Sequence, residues 1–584
     1  MSTSAQSPSS SAESAPSLVE IVEQVNRGGD VPVESLSVYQ QSDNAAERFL
    51  AHHAGATLGL RQCHTHLRDA LESIGFSDRR VLEQFVGLSA FIGREQDAAA
   101  PTVAFGRSAI SRGEVALGIE AAAAAAAQDL GRGGIWASAR ENLVELAELF
   151  GDAAIAEPWT GGGEWSNDRP HVGYLTSALG DDEPAARAAA AFAAHADPKQ
   201  IKLSAYATEA YVRREGQHWA GFGDATPASR RPAASHNANA WINFGRGAVP
   251  SAKRGSQVLS RLRDAGSGTW IAPTDGDVLS AARALADRIV ADQTDVLIVD
   301  ADAVDPIAAL VVAWRAAGKV LWIARRAPLY ATGVDAVCYL DSAAATNDAD
   351  FWGERDIPTQ TLLEGVDLKA THGQPPARRQ YGIPDQAVIC ATAATDVNQA
   401  IGPAMRQSII ELLRRQTQAV YLVVGGGDTT SLRRTFESAG VGRRVGYAGP
   451  RRDLAGFLAM ADIYLVPFQA GVPAASEILT AMGAGLPLVA HADADAADIT
   501  GSDAIADDNE AWLDQTAKLV RERNARRDLG AKMLRRVEKQ YSFETTAKAI
   551  SKQALGLVTN SGESESIKID ESTTTSKKPA RAAA

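Results

Sequence analysis

The stretch PAASEILTAMGAGLPLVAH, residues 473–491, sets Ser476, Glu477 and Thr480 at the start of a helix otherwise made of small and apolar residues. A helix start leaves backbone N–H groups without partners, and the helix dipole adds partial positive charge there. Such an end binds anions, and a diphosphate is a natural occupant. Ser476 can add a hydroxyl, and Thr480 follows one turn later on the same side. The alternative is local: Ser476 caps the helix and Glu477 complements its dipole. A second group is acidic. Asp182 and Glu183 stand immediately before Pro184, after the apolar run HVGYLTSAL. A carboxylate there can take a proton from an acceptor hydroxyl or orient an acceptor amide if burial tunes it. It can equally serve the dipole of the helix that Pro184 opens. Third, YLVVGGGD supplies Gly425, Gly426 and Gly427, either for close backbone approach to a ligand or for a tight turn. His491 ends LPLVAH, as a ligand contact or an ordinary loop histidine.

These residues need strands and helices to hold them. From residue 171 onward, apolar runs alternate with helical patterns. HVGYLTSAL, IKLSAYA, TWIAP, DVLIVDA, KVLWIA and DAVCYLD read as strands, and EPAARAAAAFAAH, VLSAARALADRIV and DPIAALVVAW as helices between them. WINFG, within the polar stretch 212–256, is a further strand candidate. Continuous apolar strands belong to sheets covered on both faces, so a doubly wound parallel sheet is expected. A second unit starts near 386: AVICATAA, AVYLVVGGG, RVGYAGP, IYLVPF and LPLVAH as strands, MRQSIIELLRR and DLAGFLAMAD as helices, and a helical segment over 509–555. Two Rossmann-like units in series imply a cleft, with ligands at the carboxyl ends of the strands. Both candidate groups above follow strand ends.

Composition narrows the class. The chain has 584 residues, too many for one core, with a net charge of −13 that argues against broad nucleic-acid binding. The three cysteines are scattered, which fits a reducing cytoplasm rather than a disulfide framework. RQCHTH groups Cys63, His64 and His66 without a second ligand pair, so a helix face is the simpler reading. DADAVD, 300–305, has Asp-x-Asp spacing but reads as a capping loop before PIAALVV, and no metal or other cofactor is expected. No apolar run is long enough to span a bilayer. The expected organisation is a disordered stretch 1–34, a helical region 35–160, Rossmann-like units 165–385 and 386–556, and a disordered tail 557–584.

Order and spacing across RVGYAGPRRDLAGFLAMADIYLVPF, the small-residue helix and GAGLPLVA resemble the nucleotide-sugar-binding half of GT-B glycosyltransferases. RPHVGYLTSALGDDEPAARAAAAFAAHADPKQIKLSAYATEA, DVLIVDADAVDPIAALVVAWRAAGKVLWIARRAPLYATGVDAVCYLD and VNQAIGPAMRQSIIELLRR are similar to O-linked N-acetylglucosamine transferases and to bacterial cytoplasmic N-glycosyltransferases that modify adhesins. The resemblance implies a GT-B fold. It puts Gly449, Pro450 and Arg451 at the donor base and Ser476 and Glu477 at its phosphates, with Gly426, Gly427, Thr480, Asn398 and Gln399 completing the donor site. Asp182 and Glu183 are then the catalytic candidates. The chain departs from the family pattern: Val472 and Thr480 stand where many GT-B enzymes have two glutamates, Gln399 where a lysine is expected, and Glu183 where a histidine precedes the proline. Arg406, Arg451, Arg452 and Lys253 are candidate replacements for the missing lysine.

The implied function is transfer of a sugar from a nucleotide-sugar, a UDP-sugar, to a protein or peptide side chain, with the helical region gripping the acceptor. The departures leave open a catalytically degenerate relative that serves an active transferase as partner or acceptor-recognition subunit. An epimerase or another GT-B-shaped phosphosugar enzyme is a third class. Expected partners are the nucleotide-sugar and the acceptor, without nucleic acid; a homo-oligomer or a transferase complex stays open.

Overall fold

A computed structural model describes residues 17–559, apart from 27–33, 58–60, most of 75–94, 132–138, 162–168, 181–182, 210–256, 274–276, 326–327, 331–332, 341, 370, 427–428, 450–453, 469–474, 493 and 495–496. WINFG, residues 1–16 and the tail from 560 lie outside the described residues.

The strands that the apolar runs predict are present. β1 (His171–Thr176), β2 (Lys202–Ala207), β3 (Gly268–Ile271), β4 (Val296–Asp300), β5 (Lys319–Ala324), β6 (Ala336–Tyr339) and β7 (Thr359–Thr361) form one all-parallel sheet in the order β3-β2-β1-β4-β5-β6-β7. β1, β4 and β6 are buried along their whole length, which is why they read as unbroken apolar runs. β7 escapes the pattern because its TQT side chains are all exposed at the sheet edge. β8 (Val388–Asp396), β9 (Ala419–Gly426), β10 (Val445–Gly449), β11 (Ile463–Leu465), β12 (Leu488–His491) and β13 (Ile505–Ala506) form the second parallel sheet, ordered β10-β9-β8-β11-β12-β13. Gly425 has φ +144, and a Cβ there would drive into the Ala394 carbonyl oxygen, so the close β8–β9 approach requires glycine.

Each sheet reverses its strand order once, between β1 and β4 in the first and between β8 and β11 in the second. Crevices open beyond the carboxyl ends at these points. In the first unit the crevice is bounded by the start of the helix Pro184–His195 and by the turn after β4. In the second it is bounded by the short helix Val397–Ala400 and by the start of the helix Ala475–Gly483.

The amino-terminal region is helical, as its periodicity predicts. Helices Ala99–Ser111 and Val115–Gly131 cross closely at a glycine pair: a Cβ on Gly106 would stand 2.6 Å from the Gly118 carbonyl oxygen. Val115, Ile119, Leu146 and Phe150 share one core with the first sheet and its helices. Polar bonds fix the same junction: Glu120 accepts from the Val278 N–H at 3.1 Å, and the Arg283 guanidinium lies 2.6 Å from Glu157. A helix, Leu18–Asn26, also lies inside the stretch expected to be disordered. Leu18, Ile21 and Val25 recur at helical spacing and pack with Leu36, Ala51 and Ala54.

The chain returns to the first unit at its end. The Val366 N–H donates to the Tyr541 carbonyl at 2.8 Å, and the following helix, Phe543–Thr559, buries Ala547, Ile550 and Ala554 against Val172, Phe192 and Ile298.

Candidate functional site

Pro184 opens its helix at a position where a missing N–H costs nothing, and this ends the β1 crevice with Glu183 at the helix start. The Glu183 side chain makes no capping bond. It is half-buried beside other charges. Burial pushes its carboxyl up to about 7, Asp302 and Asp300 add to the rise, and Arg325 and Arg187 oppose it. A carboxyl poised near neutrality suits proton transfer.

The groups around it are arranged by β4, β5 and the linker between the units. Asp300, at the end of β4, is fully buried and accepts two bonds from Arg325, from Nε and Nη2, each at 2.7 Å, and one from the Tyr174 hydroxyl at 2.8 Å. This is the bidentate fork that planar guanidinium favours. Arg325 Nη1 donates to Glu364 at 3.1 Å. Asp305 caps the helix Pro306–Ala313, accepting from the N–H groups of Ile307 and Ala308 at 3.1 Å each, and from the hydroxyls of Thr208 at 2.5 Å and Ser177 at 3.1 Å. Burial raises its carboxyl to about 6, and these bonds restrain the rise. In DADAVD, then, Asp300 is tied to Arg325 and Asp305 to a helix start. Among the described residues no cluster of three His, Cys, Asp or Glu is placed to hold a metal.

On the opposite wall Glu477 sits in the first turn of Ala475–Gly483. Burial pushes its carboxyl up to about 7. Its own backbone N–H restrains the rise, Glu364 adds to it, and Arg187 opposes it. Glu364 belongs to the linker and Arg187 to the first unit, so charges outside the second unit act on this carboxyl. Among the described residues the Ser476 hydroxyl makes no hydrogen bond, whereas Thr480 donates to the Ser476 carbonyl at 2.7 Å. Asn398 accepts from Arg406 at Oδ1, 2.9 Å, and at its carbonyl, 3.1 Å. Arg406 Nε also donates to the Ile401 carbonyl at 2.7 Å. Arg406 thus ties down the turn Val397–Ala400 rather than replacing the expected lysine as a free cation. Gln399 lies in that turn; its side chain is outside the described residues. Gly426 ends β9, and Gly449 ends β10 with φ +69. His491 packs on Phe468, ring centres 4.8 Å apart. Asp182, Gly427, Pro450, Arg451, Arg452 and Lys253 lie outside the described residues.

Sequence reasoning passed over Arg187, Arg325, Asp300 as an ion-pair member, and Glu364. One signal was available: Arg187 is the lone charge inside an alanine-rich helix, four residues after Glu183. Arg325 and Glu364 gave none, because only the strand order brings them together.

The two facing parallel sheets define a GT-B architecture, with a helical region in front. Residues 388–522, the second sheet unit, match the family described as glycosyl transferases group 1. Among curated proteins none matches the chain. Solved structures with a similar fold include a mutant O-GlcNAc transferase of Thermobaculum terrenum, at 16% identity over 92% of this chain and 96% of that one, TM-score 0.48. A glycosyltransferase of Rickettsia africae is similar at 10% identity over 68% of this chain and 100% of that one, TM-score 0.48. The Anabaena protein HepE, solved with UDP and glucose, is similar at 12% identity over 66% and 99%, TM-score 0.44. Among the described residues no helix is long and apolar enough to cross a membrane.

Proposed function

We propose that this chain is a glycosyltransferase that moves a sugar from a UDP-sugar to a protein or peptide side chain. The observation that carries the reading is Glu183: a half-buried carboxyl near neutrality at the start of the helix that follows β1, with a free hydroxyl, Ser476, at a helix start of the second unit. The match of residues 388–522 to group 1 glycosyl transferases supports a nucleotide-sugar as the occupant of the second wall.

In this reading the diphosphate lies at the start of Ala475–Gly483, where main-chain N–H groups and Ser476 receive it. Gly449 borders the base, Glu477 lies with Ser476 at the phosphates, and Gly426, Asn398 and Thr480 complete the donor site. Ionised Glu183 accepts the proton of an acceptor hydroxyl. The acceptor oxygen bonds to the anomeric carbon, and the bond from that carbon to the diphosphate oxygen breaks, with the electron pair leaving on the nucleoside diphosphate. No step calls for a metal or another cofactor. The helical region shares a core with the acceptor-side unit, which supports its role in holding a macromolecular acceptor. The test is a panel of UDP- and GDP-sugars assayed for donor hydrolysis and for transfer to peptide mixtures. Turnover of one donor is expected; no turnover and no donor binding at millimolar concentration overturns the reading.

A further inference from the structure

A departing nucleoside diphosphate gathers negative charge, and a cation beside it lowers the barrier. The lysine that the resemblance expects is replaced by Gln399, and Arg406 is committed to the carbonyls of Asn398 and Ile401. Two described arginines act on the cleft carboxyls. Arg325 is held by Asp300 on two bonds and by Glu364 on a third. Arg187 differs. It is half-buried in the first turns of Pro184–His195, its backbone N–H bonded to the Glu183 carbonyl at 3.1 Å. Among the described residues its guanidinium makes neither a hydrogen bond nor an ion pair within 4 Å. Yet Glu183 and Glu364 on its own side, and Glu477 on the far wall, all feel its charge. Its donors are unspent, and its charge reaches carboxyls of both units.

We infer that Arg187 binds the diphosphate of the nucleotide donor from the acceptor-side wall, opposite the start of the helix Ala475–Gly483, and so supplies the positive charge that Gln399 cannot. The inference rests on the donor site proposed above. Guanidinium can meet two phosphate oxygens at once, which an ammonium cannot, so lysine at this position restores charge without the paired geometry. Because Arg187 belongs to the first unit and the helix start to the second, one diphosphate contacts both, and donor binding draws the walls together.

The test compares UDP with uridine by titration calorimetry on the full chain. The wild type binds UDP more tightly than uridine. Arg187→Ala is expected to lose about tenfold or more of UDP affinity, the effect of one charged hydrogen bond, while uridine affinity stays unchanged. Arg187→Lys is expected to fall between the two. Uridine binding itself reports that the variants are folded. An Arg187→Ala chain that binds UDP as tightly as wild type overturns the inference, and so does one that loses UDP and uridine in equal proportion. Either result leaves the transferase reading standing. A wild type that binds none of UDP, GDP, ADP and TDP removes the transferase reading and this inference together.

Discussion

Glu183→Gln should make the protein more stable and less active, and the stability gain should depend on pH. In the unfolded chain a glutamate loses its proton near 4.5; in the fold Glu183 holds it up to about 7. Protonation therefore favours the fold. That contribution is fully present below 4.5 and is lost as pH rises through about 7, where the folded chain carries a charge it has desolvated. The gap of about 2.5 pKa units corresponds to about 3.4 kcal/mol at about 1.36 kcal/mol each. Glu183 is half-buried, so water screens part of this, and about 2 kcal/mol is the working figure at pH 8. At pH 5 the same linkage leaves less than about 1 kcal/mol. Glutamine carries no charge at either pH, so the variant escapes the cost. Thermal unfolding of both chains at pH 5 and pH 8 reads the difference. A sheet unit of this size gains about 2–4 °C per kcal/mol, so the variant should melt about 4–8 °C higher at pH 8, with a much smaller gap at pH 5. In the transferase reading its kcat/KM falls by about 10²–10⁴, the usual contribution of a general base. An equal melting gap at both pH values, or a variant less stable than wild type at pH 8, refutes the argument that burial governs this carboxyl.

Arg325→Met leaves Asp300 buried with only the Tyr174 hydroxyl, and should cost about 3–5 kcal/mol in urea unfolding; adding Asp300→Asn should recover most of it. Gly425→Ala places a Cβ on the Ala394 carbonyl at φ +144 and should lower soluble yield and melting temperature sharply, and a variant as stable as wild type would contradict the β8–β9 register.

The strands were legible because parallel strands covered on both faces must be apolar throughout, as Val296–Val299 and Leu321–Ile323 are. β7 and β13 were not: exposed Thr359–Thr361 and the two residues Ile505–Ala506 are strands only because a neighbour pairs with them. Leu18, Ile21 and Val25 were hidden by the Ser- and Pro-rich leader before them, which dominates the local composition. Periodicity shows that Ala547, Ile550 and Ala554 share a face. It does not show that the face crosses back to Val172 and Phe192. The same limit governs the site. Glu183 and Glu477 could be picked out because each opens a helix after a strand. Their electrostatic neighbours could not, since Arg187, Arg325 and Glu364 meet them only through strand order and the folding of one unit onto the other.

Where the resemblance expects a histidine the chain has Glu183, and the surroundings of that carboxyl bring it into a similar range. A histidine titrates near 6.5 unaided, whereas a glutamate reaches that range only when burial lifts it. The β1 crevice lifts Glu183 to about 7. The two bases differ in charge, however. Histidine is neutral before it takes a proton and cationic afterwards; glutamate is anionic before and neutral afterwards. Arginines nearby would oppose protonation of a histidine, but they stabilise the ionised, proton-accepting form of a glutamate. Without Arg187 and Arg325, burial together with Asp300 and Asp302 would keep Glu183 protonated to still higher pH, and in the transferase reading it would then be a poor base near neutrality. Glu183 and the lone arginine four residues along its helix therefore act as one unit. In the reading proposed above, Arg187 keeps the carboxyl available on one side and offers its donors to the donor diphosphate on the other.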